Sequence, residues 1–203
     1  MAIEEPKYEL VSQEDAYQVR RYQPILIAET FVDGDMDEAT NKGFRLIADF
    51  IFGNNTAPNT TVGGSEKIAM TAPVTVEPVS QKIEMTAPVT IEPVQASSGN
   101  MSAANRWRIH FVMPSSYNLA SLPKPNNNKV VIREVPGATY AVLTYSGFNF
   151  LSNVQTRTDE LMAWVKSKKM EALKSPQLAR YNPPWTLPMF RRNEIMVEVK
   201  PAS

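Results

Sequence analysis

Val19-Arg20-Arg21-Tyr22-Gln23-Pro24-Ile25-Leu26-Ile27-Ala28 and Ile132-Arg133-Glu134-Val135-Pro136-Gly137-Ala138-Thr139-Tyr140-Ala141 decide the fold. Each is a charged strand, a proline bend and an apolar strand, and each leads on into a helical period. Alternation of apolar and polar side chains marks a strand with one buried face. Proline stops it because it cannot donate to a ladder. The same plan met twice implies two structural half-repeats.

Working outward, residues 8–11 alternate as a preceding strand, and the apolar run after Pro24 continues to Val32. A helix follows, capped by Asp35 or Asp37, with Glu38 adding charge in its first turn. Ala39, Gly43 or Phe44, Ile47 and Phe50 or Ile51 recur at spacings of three and four, and Gly53 suits the position just past the end. In the second half, strands are expected over 130–136 and 139–145. A helix is expected from 149 to about 169, with Leu151, Val154, Thr158, Leu161 and Val165 on one face, and a last strand over 193–199. The clearest strand is Arg106-Trp107-Arg108-Ile109-His110-Phe111-Val112-Met113. Segments 54–66, 95–105, 122–128 and 176–188 read as loops. The expectation is one α+β domain over 1–203, with pseudo-repeats at about 8–114 and 130–200. It would be a distorted antiparallel β-barrel of about eight strands flanked by two helices, closure or half-closure sparing short strands their bare edges.

A 15-residue duplication sits in the first half. Lys67-Ile68-Ala69-Met70-Thr71-Ala72-Pro73-Val74-Thr75-Val76-Glu77-Pro78 returns as Lys82-Ile83-Glu84-Met85-Thr86-Ala87-Pro88-Val89-Thr90-Ile91-Glu92-Pro93. Fifteen is odd, so one continuous strand would invert the faces of the second copy. Either a hairpin turns near residues 77–81 or only one copy joins the sheet.

The totals exclude several classes. With 203 residues the chain can bury a full core without a staple, and with no cysteine it has neither thiolate ligand nor thiol nucleophile. Lys plus Arg and Asp plus Glu are 21 each, which gives no overall field for nucleic acid or an anionic membrane. The acidic start lacks the apolar core of a signal peptide, and no stretch reaches membrane-spanning length. A cytoplasmic location and no membrane insertion are expected.

His110 is the sole imidazole. Its strand places it with Arg106, Arg108 and Val112, opposite Trp107, Ile109, Phe111 and Met113, so it is expected to point to solvent or a covering helix. A Ser-His-Asp triad or a histidine haem ligand would have to use it. No metal-ligand spacing and no phosphate loop occurs. Glu194 after Arg191-Arg192-Asn193 either pairs internally or faces an anionic ligand, and with Arg191 and Tyr181 it is the best group for an enzyme. Met70, Met85 and Met113 are gap fillers or thioether ligands. Tyr181-Asn182-Pro183-Pro184-Trp185 forms a groove wall or a core lid.

Taken in order, the words Lys-Ile-x-Met-Thr-Ala-Pro-Val, Trp107-Arg108-Ile109-His110-Phe111-Val112-Met113-Pro114-Ser115, Leu122-Pro123-Lys124-Pro125-Asn126, Arg133-Glu134-Val135-Pro136, Tyr181-Asn182-Pro183-Pro184-Trp185 and Arg191-Arg192-Asn193-Glu194 resemble the SOUL haem-binding family, from about residue 8 to 200. The resemblance implies the barrel above. It also implies non-covalent binding of haem or another tetrapyrrole in a shallow apolar groove beside the first helix, with no required histidine and no agreed catalytic step. Carried to this chain, Phe44, Ile47, Ala48 and Ile51 would line the groove, and Lys42 or Arg45 would meet a propionate at its rim. The architecture is also similar to small-molecule-binding domains of certain bacterial regulators. The alternative ligand is therefore another amphipathic small molecule, and a hydrolytic enzyme ranks last. Oligomeric state is left open.

Overall fold

The computed structural model describes residues 4–58, 64–79, 101, 104–183 and 185–200. Its elements in chain order are β1 (Tyr8–Glu14), β2 (Tyr17–Tyr22), β3 (Ile25–Asp33), α1 (Met36–Ile51), β4 (Asn55–Thr56), β5 (Val74–Pro78), β6 (Arg106–Val112), β7 (Lys124–Pro125), β8 (Val131–Val135), β9 (Thr139–Tyr145), α2 (Leu151–Ser167), β10 (Glu171–Ala172), β11 (Gln177–Arg180) and β12 (Asn193–Lys200). The main sheet runs β1-β2-β9-β12-β11-β5-β6-β3-β8, every neighbouring pair antiparallel, with β10 attached to β12. Read from its middle outward, β11 and β5 are followed by β12 and β6, then β9 and β3, then β2 and β8.

Two short links force this sheet to curl. β2 and β3 lie six places apart, which is about 29 Å in a flat sheet. Only Gln23 and Pro24 join them, a reach of at most about 11 Å. β8 and β9 are likewise six places apart and joined by Pro136, Gly137 and Ala138. The two links meet where the Tyr22 N–H donates to the Ala138 carbonyl at 2.9 Å. The result is a half-barrel of nine strands, an α+β fold with two helices.

The helices pack on the outside of the curl, α1 over β3 and β6 and α2 over β9 and β12. Asp35 caps α1, its carboxylate accepting from the Glu38 N–H at 2.8 Å, and Gly53 past its end has φ +123°. Trp107, Ile109, Phe111, Val76, Leu178, Ile195, Val197 and Leu143 face the helices, where Ile47, Phe50, Ile51, Val154 and Leu161 meet them. Gly43 lets α1 come close, since a Cβ there would stand 2.8 Å from Cβ of Ile109.

Several expectations change. Segment 176–188 is not wholly a loop: β11 lies at the centre of the sheet, between β12 and β5. The loops at 54–66 and 122–128 contribute β4 and β7, a two-residue ladder. The first copy of the duplication supplies β5, whereas the second, at 82–93, lies outside the described residues.

Gly137 sits at the crossing of the two links, and a Cβ added there would stand 2.8 Å from the Tyr22 carbonyl oxygen and 3.3 Å from Pro24 Cδ. Backbone cannot step aside as a flexible side chain can. Gly137→Ala is expected to cost about 1–3 kcal/mol in urea denaturation. Unchanged stability would show that the crossing tolerates a methyl group.

Candidate functional site

The inner face of the half-barrel sets ion pairs around a small apolar cluster of Val142, Ala179 and Met196. Glu194, 1% exposed, receives both arms of Arg20 at 2.9 and 3.0 Å and the Tyr181 hydroxyl at 2.6 Å. Arg133 grips Glu29 through two hydrogen bonds of 3.0 and 3.1 Å, Arg108 pairs with Glu77 at 2.6 Å, and Lys174 pairs with Glu198 at 2.5 Å. Every one of these carboxylates has a cation opposite. Burial pushes the Tyr181 phenol well up, and the Glu194 charge adds to it. Burial likewise pushes Tyr22 and Tyr140 up to about 12. Glu194 therefore pairs internally, with a residue 174 positions away, and both its oxygens are engaged.

His110 shares the face of Arg108, as expected, but points into the half-barrel rather than to solvent or a helix. It is 6% exposed and its Nδ1 has no hydrogen-bond partner. Burial, with Arg108 and Arg133 nearby, lowers its pKa to about 3. The free space in this interior is only about 60 Å³, bordered by Tyr8, Tyr22, His110, Tyr140 and Tyr181. That admits a few waters and not a macrocycle.

A larger cleft, about 410 Å³, lies outside the curl. α1 contributes Thr40, Asn41 and Phe44, and Phe52 follows from beyond its end. Met70, Ala72 and Val74 come from the approach to β5; Arg180, Tyr181, Pro183 and Trp185 come from β11 and the segment after it. Phe44 is held by an aromatic contact with Phe111, ring centroids 5.4 Å apart. The Thr71 hydroxyl donates to the Val112 carbonyl, tying the approach segment to β6. Tyr181 forms part of both walls, bordering the cleft while its hydroxyl reaches Glu194 inside. Arg180 is half-buried and forms no ion pair with any described residue. Burial pulls its pKa down, and the Asp37 charge opposes that. A second hollow of about 320 Å³ lies between β1 and the end of α2, beside Trp164.

The residues expected to form the groove separate. Phe44 lines the cleft. Ile47, Ala48 and Ile51 are buried and do not line it, and Ile47 and Ile51 belong to the core beneath α1. Lys42 is exposed and paired with Glu38 at 2.5 Å, and Arg45 is exposed; neither borders the cleft. Met70, Arg180 and Trp185 were not placed beside α1 by sequence reasoning. The aromatic and proline content of 181–185 is the one signal that pointed toward a wall.

The cleft residues fit a tetrapyrrole's faces and edge. Phe44, Phe52, Pro183 and Trp185 are flat and apolar, and Arg180 offers a partly dehydrated cation to a carboxylate. Among the described residues on the lining, only Met70 and Tyr181 are of iron-ligating type, and the Tyr181 hydroxyl is already committed to Glu194.

Comparison with known proteins agrees with this architecture. The profile of the SOUL heme-binding protein family matches residues 3–198, and the chain belongs to that family. The C-terminal domain of EcmrR is similar at 12% identity and TM-score 0.57, covering 96% of this chain and 99% of that one. A hydrolase from Listeria innocua is similar at 9% identity and TM-score 0.56, covering 94% of each. At such identities the likeness is one of fold. No curated protein matches the chain.

The buried imidazole leaves a measurable trace. Unfolded, it takes up a proton near pH 6.5, whereas the folded site refuses one until about 3. The unfolded state thus binds the extra proton in that window, and stability falls as pH drops, by up to about 1.4 kcal/mol per unit. Above the window the site adds no slope. Urea denaturation of wild type minus that of His110→Gln is expected to show this slope; a flat difference would mean that the imidazole titrates normally.

Proposed function

We infer that the protein binds haem or a related tetrapyrrole non-covalently in the cleft beside α1, and that it is a binding protein rather than an enzyme. The observation that carries this reading is the pairing of an apolar cleft of about 410 Å³ with the half-buried Arg180 on its wall, in a chain of the SOUL heme-binding family. Pockets for compact ligands span about 300–1,000 Å³. A macrocycle would lie against Phe44, Phe52 and Trp185, with a propionate turned to Arg180.

Bound iron would supply the redox and ligand-exchange chemistry of haem. This chain's residues hold the ring and shield it from water. His110 lies behind the sheet, and Met70 is the one uncommitted soft donor at the wall, so the apolar faces and Arg180 dominate recognition. On this account metal-free protoporphyrin binds about as well as haemin. The same feature favours a second reading, another flat amphipathic anion, which competition among porphyrins and unrelated aromatic carboxylates would separate.

Haemin titration of the purified apoprotein is expected to shift the Soret band and saturate. Phe44→Asp should weaken binding by tenfold or more, since it sets a charge on the apolar wall, and Arg180→Ala by about tenfold, the worth of one charge-assisted hydrogen bond. His110→Gln should leave the spectrum as it is. A flat titration of wild type, or binding indifferent to both cleft substitutions, overturns the assignment.

A further inference from the structure

Among the described residues, 14 large apolar side chains are exposed, and six of them stand on two loops. Phe148 and Phe150 project from the turn before α2; Trp185, Leu187, Met189 and Phe190 project from the turn before β12, each of the six 50–83% exposed. Side chains that exposed gain almost nothing from folding, so their burial falls to another surface. The loops are clamped together. The Gly147 N–H donates to the Pro188 carbonyl at 2.9 Å, and the Asn193 amide donates to the Gly147 carbonyl at 3.3 Å. The Phe148 and Phe150 rings stack at 5.1 Å, and the Arg191 guanidinium lies 5.9 Å from the centre of Phe148.

Charge in these loops is one-sided. The chain as a whole balances at 21 against 21, yet the two loops, 146–150 and 181–192, contain Arg191 and Arg192 and no Asp or Glu. Arg192 pairs with Glu5 at half-exposed positions where such a pair is weak.

We propose that these two loops form a docking surface for an anionic lipid bilayer. Apolar tips that protrude beside Arg191 and Arg192 suit a headgroup layer. Phe, Leu and Trp enter its acyl boundary by about 5–10 Å while the guanidinium groups stay with the phosphates. A protein partner asks for a complementary face of about 800 Å² made by about 20–30 residues, whereas the two loops offer six large apolar side chains. Among the described residues no helix is long and apolar enough to cross a membrane, so the attachment is peripheral. Trp185 belongs to both the docking loops and the cleft wall. Docking thus sets the cleft mouth beside the bilayer, although the surface itself does not depend on what the cleft holds.

The test is co-sedimentation of the full-length apoprotein with vesicles of phosphatidylcholine alone and of phosphatidylcholine with phosphatidylserine. Binding is expected on the mixed vesicles, weaker on the neutral ones, and reduced by added salt. The Phe148→Ser, Phe190→Ser double variant should abolish it at an unchanged melting temperature, because neither side chain is part of the core. Arg191→Gln should weaken it by about fivefold, the worth of one cation at such a surface. Absence of wild-type binding to either vesicle overturns the proposal, as does binding that the double variant retains. So does gel filtration showing a wild-type dimer that the double variant loses, since the patch would then be covered by a second copy.

Discussion

Two connections, one of two residues and one of three, tie opposite margins of a nine-strand sheet to each other, and the rest of the molecule follows from that restraint. A flat sheet cannot satisfy either connection, so the strands must curl. Curling makes an inside and an outside of unequal size. The outside has room for two helices and takes the large apolar side chains, Trp107 and Phe111 among them. The inside is narrow and is crossed by arginines and glutamates that neutralise one another, Arg133 with Glu29 and Arg108 with Glu77 on neighbouring strands and Arg20 with Glu194 across the intervening β9. Glycine at 137 is what allows the two connections to pass within hydrogen-bonding distance.

The filled interior decides where a ligand can go. A buried ion pair adds little net stability over a well-packed apolar pair, but removing one partner strands a charge and costs about 3–5 kcal/mol. Arg20 and Glu194, both buried, therefore resist displacement as a pair, and Arg108 with Glu77, less deeply placed, resists it to a smaller degree. A guest entering the curl would have to separate them. In the proposed site outside the curl, a guest would meet Phe44, Met70 and Trp185 and part none of these pairs. Tyr181 is the single side chain that touches both spaces, and its hydroxyl bond to Glu194 fixes the wall from behind.

How much of this was legible in the sequence depended on range. Period-two alternation revealed β2, β3, β6, β9 and β12, because alternate positions turn toward the helices and toward the narrow interior, and charged or polar side chains fall mainly on the interior side. The helix period revealed the buried stripes of α1 and α2. β11 was hidden: four residues between Pro176 and Pro183, with Leu178 and Ala179 both buried, show no alternation, and its two partners are remote in the chain. Helical spacing likewise told which residues of α1 share a face but not what that face meets. Ile47 and Ile51 meet the sheet, while Phe44, at the margin of the same stripe, meets the cleft. Arg180 and Met70 come to α1 only through pairing of β11 with β5, which no local pattern announces. His110 was assigned the correct side of its strand; that this side faced inward required knowledge of the direction of curl.

The charge balance illustrates the same limit at larger scale. A net charge of zero argues against long-range attraction to an anionic surface, because beyond a Debye length of about 10 Å opposite charges cancel and are screened. It says nothing about contact range. Four of the acids, Glu29, Glu77, Glu194 and Glu198, lie on the inner face and hold cations there, and Asp35 holds a helix end. The arginines beside Phe148 and Phe190 act only once a surface has come near enough to touch those rings.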